Sequence, residues 1–228
     1  MKDIIIDTQK NDVKIKAVGI GGAGSVVINH MITSGVQGID FVIINTDRYI
    51  LKQSEAPVKL IIGENLPKGY DGLNLYTIAK AAEEITDKIG SALKGADMVF
   101  ITAGMGGITG TGAIPIVAET AKSQDIFTVG IVSKPFAFEG KKRMEYAEKG
   151  ISELRKNVDL LIVIPCETLK SAWTEKLDIM NAFKKVDEAI EQGIQCVSSL
   201  VNTQGYINLD FTDVCKAMKT LGIPISKT

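Results

Sequence analysis

The chain has 228 residues, with 26 basic and 27 acidic side chains and a formal net charge of −1, a length that suits one large domain or one domain with part of a second. So balanced a charge offers no bulk field for nucleic acid or an acidic membrane surface, which excludes both as expected partners and makes any anion specificity local. Cys166, Cys196 and Cys215 are far apart, odd in number and without CxxC spacing, which argues against a disulfide framework or zinc site and for a reducing, cytoplasmic setting.

Residues 1–12 read as a mostly polar N-terminal extension. Lys2 and Asp3 precede an apolar triplet too brief for a signal peptide, and no run approaches a membrane span. Val13 to Ile20 reads as a strand that ends in Gly19-Ile20-Gly21-Gly22-Ala23-Gly24, a literal G-x-G-x-x-G. An amphipathic stretch with Val27, Ile28 and Met31 follows, the strand-loop-helix setting of a dinucleotide fold. A second strand, Phe41 to Ile44, ends in Asn45-Thr46-Asp47. Asp47 stands where a Rossmann enzyme binds a ribose hydroxyl, so a nicotinamide- or flavin-dependent oxidoreductase is one reading. A turn or helix cap is the other role for such an Asp. Val58 to Ile62 is a third strand, residues 63–75 form a loop containing Pro67, Gly69 and Gly72, and residues 76–94 read as one helix carrying Ile78, Ala82, Ile85, Ile89 and Leu93.

Met98 to Thr102 is a fourth, apolar strand, and after it comes the densest glycine cluster of the chain: Gly104-Met105-Gly106-Gly107-Ile108-Thr109-Gly110-Thr111-Gly112. Glycines let backbone N–H groups approach an anion without side-chain clash, and a helix starting there adds the positive end of its dipole. The hydroxyls of Thr109 and Thr111 are further potential donors. No Lys-Ser or Lys-Thr pair closes the stretch, so it is not a Walker-type P-loop. A second glycine loop counts against the oxidoreductase, which needs a single pyrophosphate cradle.

Phe127 to Val132 is a fifth strand, stopped near Pro135, and Lys141, Lys142 and Arg143 open a helix to about Lys156. Basic groups in a first turn oppose the helix dipole, which points to an anion or partner nearby or to a solvated face. Val158 to Ile164, wholly apolar, reads as a sixth, buried parallel strand. From Leu177 a long helix carries Ile179, Phe183, Val186, Ile190, Ile194, Val197 and Val201 in one stripe, and a last helix ends near Leu221. Taken alone, Phe183 and Asp187 are one core and one exposed position of that stripe, and Asp210 and Asp213 are a cap and its first-turn partner. His30, the one histidine, reads as surface or partly packed, and Trp173 as a packing residue. Strands alternating with helices predict an α/β fold: a Rossmann-like, doubly wound parallel sheet with a long central helix.

From about Lys14 to Met218 the chain closely resembles the tubulin-like FtsZ family, whose signature loop reads GGGTGTG where this chain has Gly106 to Gly112. The resemblance implies a GTPase of bacterial cell division that binds GTP or GDP, with Mg²⁺ held through the phosphates and no dedicated protein metal site. It implies that Gly21, Gly22, Ala23 and Gly24 line the diphosphate, that Asn45, Asp47, Gly72 and Pro135 lie near the nucleotide, and that Gly104 to Gly112 cradle phosphates. Glu139 and Arg143 match positions that contact ribose and base, Phe183 one that stacks on guanine, and Asp187 the carboxylate that reads its N1 and N2 donors. Asn208, Asp210 and Asp213 match the loop that completes a neighbour's site in a head-to-tail filament. The departures are Val26 and Cys166, each where the family has Asn, the 69–74 loop, and Ile108 in place of a glycine, where a β-branched residue would resist positive φ. The expected partners are other copies of the chain or a full-length FtsZ-type protein. The organisation implied is residues 13–176 for nucleotide binding and 177–221 for the central helix, the filament loop and the next helix, without the family's second domain. A non-hydrolysing guanine-nucleotide binder that modulates a full-length polymer is the alternative.

Overall fold

The computed structural model describes residues 13–64, 74–172, 178–202 and 211–221. Six strands form one wholly parallel sheet: β1 (Ile15–Ile20), β2 (Ile39–Asn45), β3 (Val58–Ile61), β4 (Met98–Gly104), β5 (Phe127–Lys134) and β6 (Leu160–Pro165), in the order β3-β2-β1-β4-β5-β6. The order reverses direction between β1 and β4. In such sheets the connections on either side of that point run to opposite faces, leaving a crevice beyond the carboxyl ends of the two strands.

Alternation along the strands divides the interior into two cores. Val18, Ile20, Val42, Ile44, Val99, Ile101 and Val132 point to one face. They pack there under α3 (Leu75–Glu83), α4 (Thr86–Leu93), α5 (Ile108–Lys122) and α6 (Lys141–Leu154). Ala17, Phe41, Ile43, Met98, Phe100, Val129 and Ile131 point the other way. That face is covered by α1 (Gly21–Thr33), α2 (Arg48–Gln53), α8 (Ile179–Asn202) and α9 (Phe211–Leu221), with α7 (Cys166–Ala172) at its margin. Strands β1 and β4 are buried on both sides, which is why they read as continuous apolar runs.

Two sequence expectations are corrected. The helix expected over 76–94 is two helices, broken at Glu84 and Ile85. Ile85 leaves helical geometry at φ −113°, ψ 19°, and the Thr86 hydroxyl takes the Glu83 carbonyl at 2.6 Å, the local side-chain bond that competes with a helical ladder. Strand β6 is the sheet edge, not an interior strand. It pairs only with β5, its residues Leu160 to Ile164 are half-buried, and it ends at Pro165, which an edge tolerates.

The stripe on α8 is buried as expected, with Val186, Ile190 and Ile194 each at most 3% exposed. Its 24 residues span about 36 Å. At the far end α9 is anchored beside the amino edge of the sheet, where Lys219 pairs with Asp159 at 2.9 Å and lies over the Phe127 ring.

Candidate functional site

Two helices start at the crevice, and neither is capped by a side chain. Ile20, the last residue of β1, is extended at φ −117°, and α1 begins directly at Gly21 with φ +70°. The glycine run is therefore the first helical turn itself. Gly107 precedes α5 in extended geometry, again without a side-chain cap. Neither first turn contains an acidic residue. By contrast, α2 is capped by Asp47, whose carboxylate accepts the Tyr49 N–H at 2.7 Å, and α3 by an Asn74–Thr77 capping box. Unpaired first-turn N–H groups and two aligned dipoles leave the crevice a strong anion acceptor.

The two glycine stretches touch. A Cβ on Gly21 would lie 2.9 Å from the Gly110 nitrogen, and one on Gly110 would lie 3.3 Å from the Ile20 carbonyl oxygen. The second stretch is tied down on three sides. Met105 N–H donates to the Ser133 carbonyl at 2.9 Å, Gly106 N–H donates to Thr111 Oγ1 at 2.7 Å, and Gly106, at φ +96°, sits where a Cβ would meet the Arg143 carbonyl oxygen at 2.7 Å. The first is braced from β2. Asn45, 2% exposed, donates to Ser25 Oγ at 3.1 Å, and Ser25 donates to the Gly21 carbonyl at 2.7 Å.

These elements wall a cleft of about 270 Å³. Its opposite wall comes from the turn after β5, α6, α7 and α8. Glu139 accepts the Phe136 N–H at 2.9 Å and Arg143 Nη1 at 2.5 Å, which fixes both side chains. Phe183, 38% exposed, packs edge-on to Phe136 and Phe138, with ring centroids 5.4 and 6.1 Å away. Burial raises the Asp187 carboxyl to about 6, against an opposing pull from His30 and with a further push from Glu188. Burial, with Glu139, Asp187 and Glu167 nearby, raises the Cys166 thiol to about 12, so it stays protonated.

Of the expected residues, Gly22, Ala23, Gly104, Gly107, Ile108, Thr109, Gly110, Pro135, Glu139, Arg143, Cys166, Phe183 and Asp187 line this cleft. Gly21, Gly24, Asn45, Asp47, Gly106, Thr111 and Gly112 lie behind or beside it. Gly24 and Gly112 serve close packing, since a Cβ on either would come within 2.8 Å of a backbone oxygen, that of Thr102 or of Leu75. Thr111 spends its hydroxyl on the loop itself. Asp213 is exposed on α9, 3.4 Å from Lys216, and does not line the cleft. Gly72, Asn208, Asp210 and Trp173 lie outside the described residues.

Ile108 carries no strain. Among the described residues Asp125 is the one non-glycine with positive φ, and Ile108 is the first helical residue of α5. The turn that demands positive φ falls on Gly106 instead. Sequence reasoning missed Ile20, Ser133, Lys134 and Val186 in the lining, and named Met105 only as part of the Gly104–Gly112 loop. Ser133 and Lys134 were accessible to it, because the carboxyl end of any strand beside the reversal point faces the crevice. Lys134 pairs with Glu148 at 2.7 Å. No group of three or more His, Cys, Asp or Glu side chains suited to a metal ion occurs among the described residues.

A parallel sheet whose order reverses at two touching glycine-rich helix starts defines a Rossmann-like, doubly wound α/β protein. Residues 14–173 match the model of the Tubulin/FtsZ family, GTPase domain. The chain is 43% identical over 229 residues to the cell division protein FtsZ of Rhizobium radiobacter, covering 98% of this chain and 39% of that protein. It therefore belongs to the tubulin/FtsZ family. An FtsZ dimer from M. jannaschii superposes with a TM-score of 0.85 at 39% identity, over 92% of this chain and 62% of that one. CetZ2 from Haloferax volcanii, at 21% identity, shares the fold with a TM-score of 0.75, over 91% of this chain and 64% of that one. The chain thus spans about two-fifths of the curated relative and about three-fifths of the solved FtsZ chain.

Proposed function

We propose that the chain binds GTP and GDP in this cleft and hydrolyses GTP at a site completed by a second copy, as an FtsZ-type protein of bacterial cell division acting in the cytoplasm. The observation that carries the reading is the convergence of two uncapped helix starts on one cleft whose far wall presents Asp187. The α1 and α5 starts suit the phosphates. Mg²⁺ would be held mainly by those phosphates. Asp187 in its ionised form accepts the two donors of a guanine edge, a pair that adenine does not offer. Phe183 and the fixed Glu139–Arg143 pair frame the base and ribose.

Phosphoryl transfer depends on positioning and charge more than on covalent chemistry. The cleft lies at the carboxyl edge of the sheet, while α9 is anchored at the amino edge through Lys219 and Asp159. That separation supports the reading in which Asp213 of one copy, together with Asn208 and Asp210, acts in the cleft of the next copy of a head-to-tail filament.

The test has two readouts on the full chain. Ultraviolet absorbance of nucleotide released on denaturation identifies guanine, and GTP turnover is then followed against protein concentration. Turnover rising faster than linearly, with GTP-dependent sedimentation of large species, supports the shared site. Guanine nucleotide bound without turnover at any concentration would leave a non-hydrolysing binder, and no nucleotide affinity would remove the reading altogether.

A further inference from the structure

Three consecutive residues where β2 ends each tie down a different element. Asn45 braces α1 through Ser25, Asp47 caps α2, and Thr46 between them reaches α5, its Oγ1 lying 2.9 Å from Thr109 Oγ1. Thr109 is the second residue of α5 and lines the cleft, whereas Thr46 is half-buried and does not. A Cβ on Gly21 would lie 3.4 Å from the Thr109 Cβ, which puts this side chain at the contact between the two helix starts.

The hydroxyl pair is not what fastens the start of α5, which is held by the Met105 and Gly106 N–H groups on the Ser133 carbonyl and Thr111 Oγ1. Other helical hydroxyls turn back on the carbonyl four residues earlier, as those of Ser25, Thr33, Ser91 and Thr120 do. Thr109 does not, and among the described residues its hydroxyl meets only that of Thr46. A hydroxyl has one proton to donate and lone pairs with which to accept. With Thr46 as the donor, Thr109 Oγ1 accepts and its own proton stays available to the cleft, and a bond received strengthens the bond given. With the roles reversed, the Thr109 proton would be spent on Thr46. An anion drawn to the two positive helix ends selects the first arrangement.

We propose that Thr46 is a positioning residue for phosphate recognition: it donates to Thr109 Oγ1 and so turns the Thr109 proton towards the phosphate chain, although Thr46 itself lies outside the cleft. The proposal rests on the assignment of the cleft to a nucleotide.

The experiment measures by calorimetry the affinity of the full chain for GDP and for a non-hydrolysable GTP analogue, in the wild type, Thr46→Val, Thr46→Ser, Thr109→Val and the double valine variant. Thr46→Val keeps the shape and is expected to weaken binding of at least one nucleotide about fivefold, the worth of one oriented hydrogen bond. Thr46→Ser keeps the hydroxyl and restores the wild-type affinity. Thr109→Val weakens binding by itself, and adding Thr46→Val to it costs nothing further, because the two hydroxyls act as one unit. A merely structural Thr46 would instead lower affinity equally with and without the Thr109 hydroxyl, and that additive result would overturn the proposal. So would unchanged affinity for both nucleotides in Thr46→Val, or tighter binding, which would mean that the bond withholds Thr109 from the ligand. Should Thr46→Val fail to fold, Thr46→Ala replaces it in the cycle, and failure of both would assign Thr46 to folding and overturn the proposal. Absence of nucleotide binding by the wild type would sink the nucleotide assignment, a distinct result.

Discussion

Gly22 and Gly24 are two positions apart in one helical turn, yet their surroundings differ in every respect that matters. A Cβ on Gly22 meets nothing within 4 Å, while one on Gly24 would lie 2.5 Å from the Thr102 carbonyl oxygen. Gly24→Ala is therefore expected to cost about 1–3 kcal/mol by overpacking, read as a lower melting temperature. Gly22→Ala keeps or raises stability by up to about 1 kcal/mol, because alanine favours the helix, and weakens nucleotide binding through the methyl it adds to the cleft. Beneath Gly24, Thr102 Oγ1 is buried with no hydrogen-bond partner. Thr102→Val removes an unsatisfied hydroxyl at constant shape and should be neutral or stabilising by about 1 kcal/mol in denaturant titration. Asp187 gives a signed pH dependence. Its folded value of about 6 stands above the ordinary 3.8, so between those values the unfolded chain ionises first and the nucleotide-free protein loses stability as pH rises. Asp187→Asn should remove that slope and gain about 1 kcal/mol above pH 6 after allowance for solvent screening. The same change should weaken GDP binding at least tenfold, or about 1.4 kcal/mol.

At the scale of elements, α8 joins stability to recognition, since one face fills the core while the residue beside it serves the cleft. Ile190→Ala should cost about 2–5 kcal/mol in chemical denaturation, as its side chain is 1% exposed among Met31, Phe100 and Ile131 in the same core. The sequence carried that helix plainly because a stripe with spacings of three and four survives any tertiary context. It carried the sheet plainly because β1 and β4 are apolar on both faces. It misled where two outcomes share one pattern. The period of residues 76–94 continues through Glu84 and Ile85, and only the Thr86 hydroxyl betrays the break. An apolar strand such as β6 looks the same at an edge as in the interior. In the site, glycine spacing announced the two helix starts, but it did not separate Gly22, which faces the cleft, from Gly24 and Gly112, which permit close packing. The His30–Glu191 contact joins positions 161 residues apart and leaves no local trace.

For the whole molecule, the cleft and α9 occupy opposite edges of one sheet, so a single copy does not bring its own Asp213 to its own cleft. The expected consequence is complementation. Asp213→Asn retains nucleotide binding and loses turnover, and Asp187→Asn loses binding. Mixing the two should restore part of the turnover, because a Asp213→Asn cleft can then meet an intact Asp213 from its neighbour. Inactivity at every mixing ratio, with both variants folded, would contradict the shared site. None of the described helices is long and apolar enough to cross a membrane.

The contact between Gly21 and Gly110 has a further consequence for how the molecule holds itself together. Segments some ninety positions apart meet there largely through backbone, with two positive dipole ends side by side and no acidic residue in either first turn. That seam repels itself until something negative occupies it. A bound phosphate chain would therefore behave as a rivet between the starts of α1 and α5, tightening a contact that the β1–β4 ladder beneath it already holds in register.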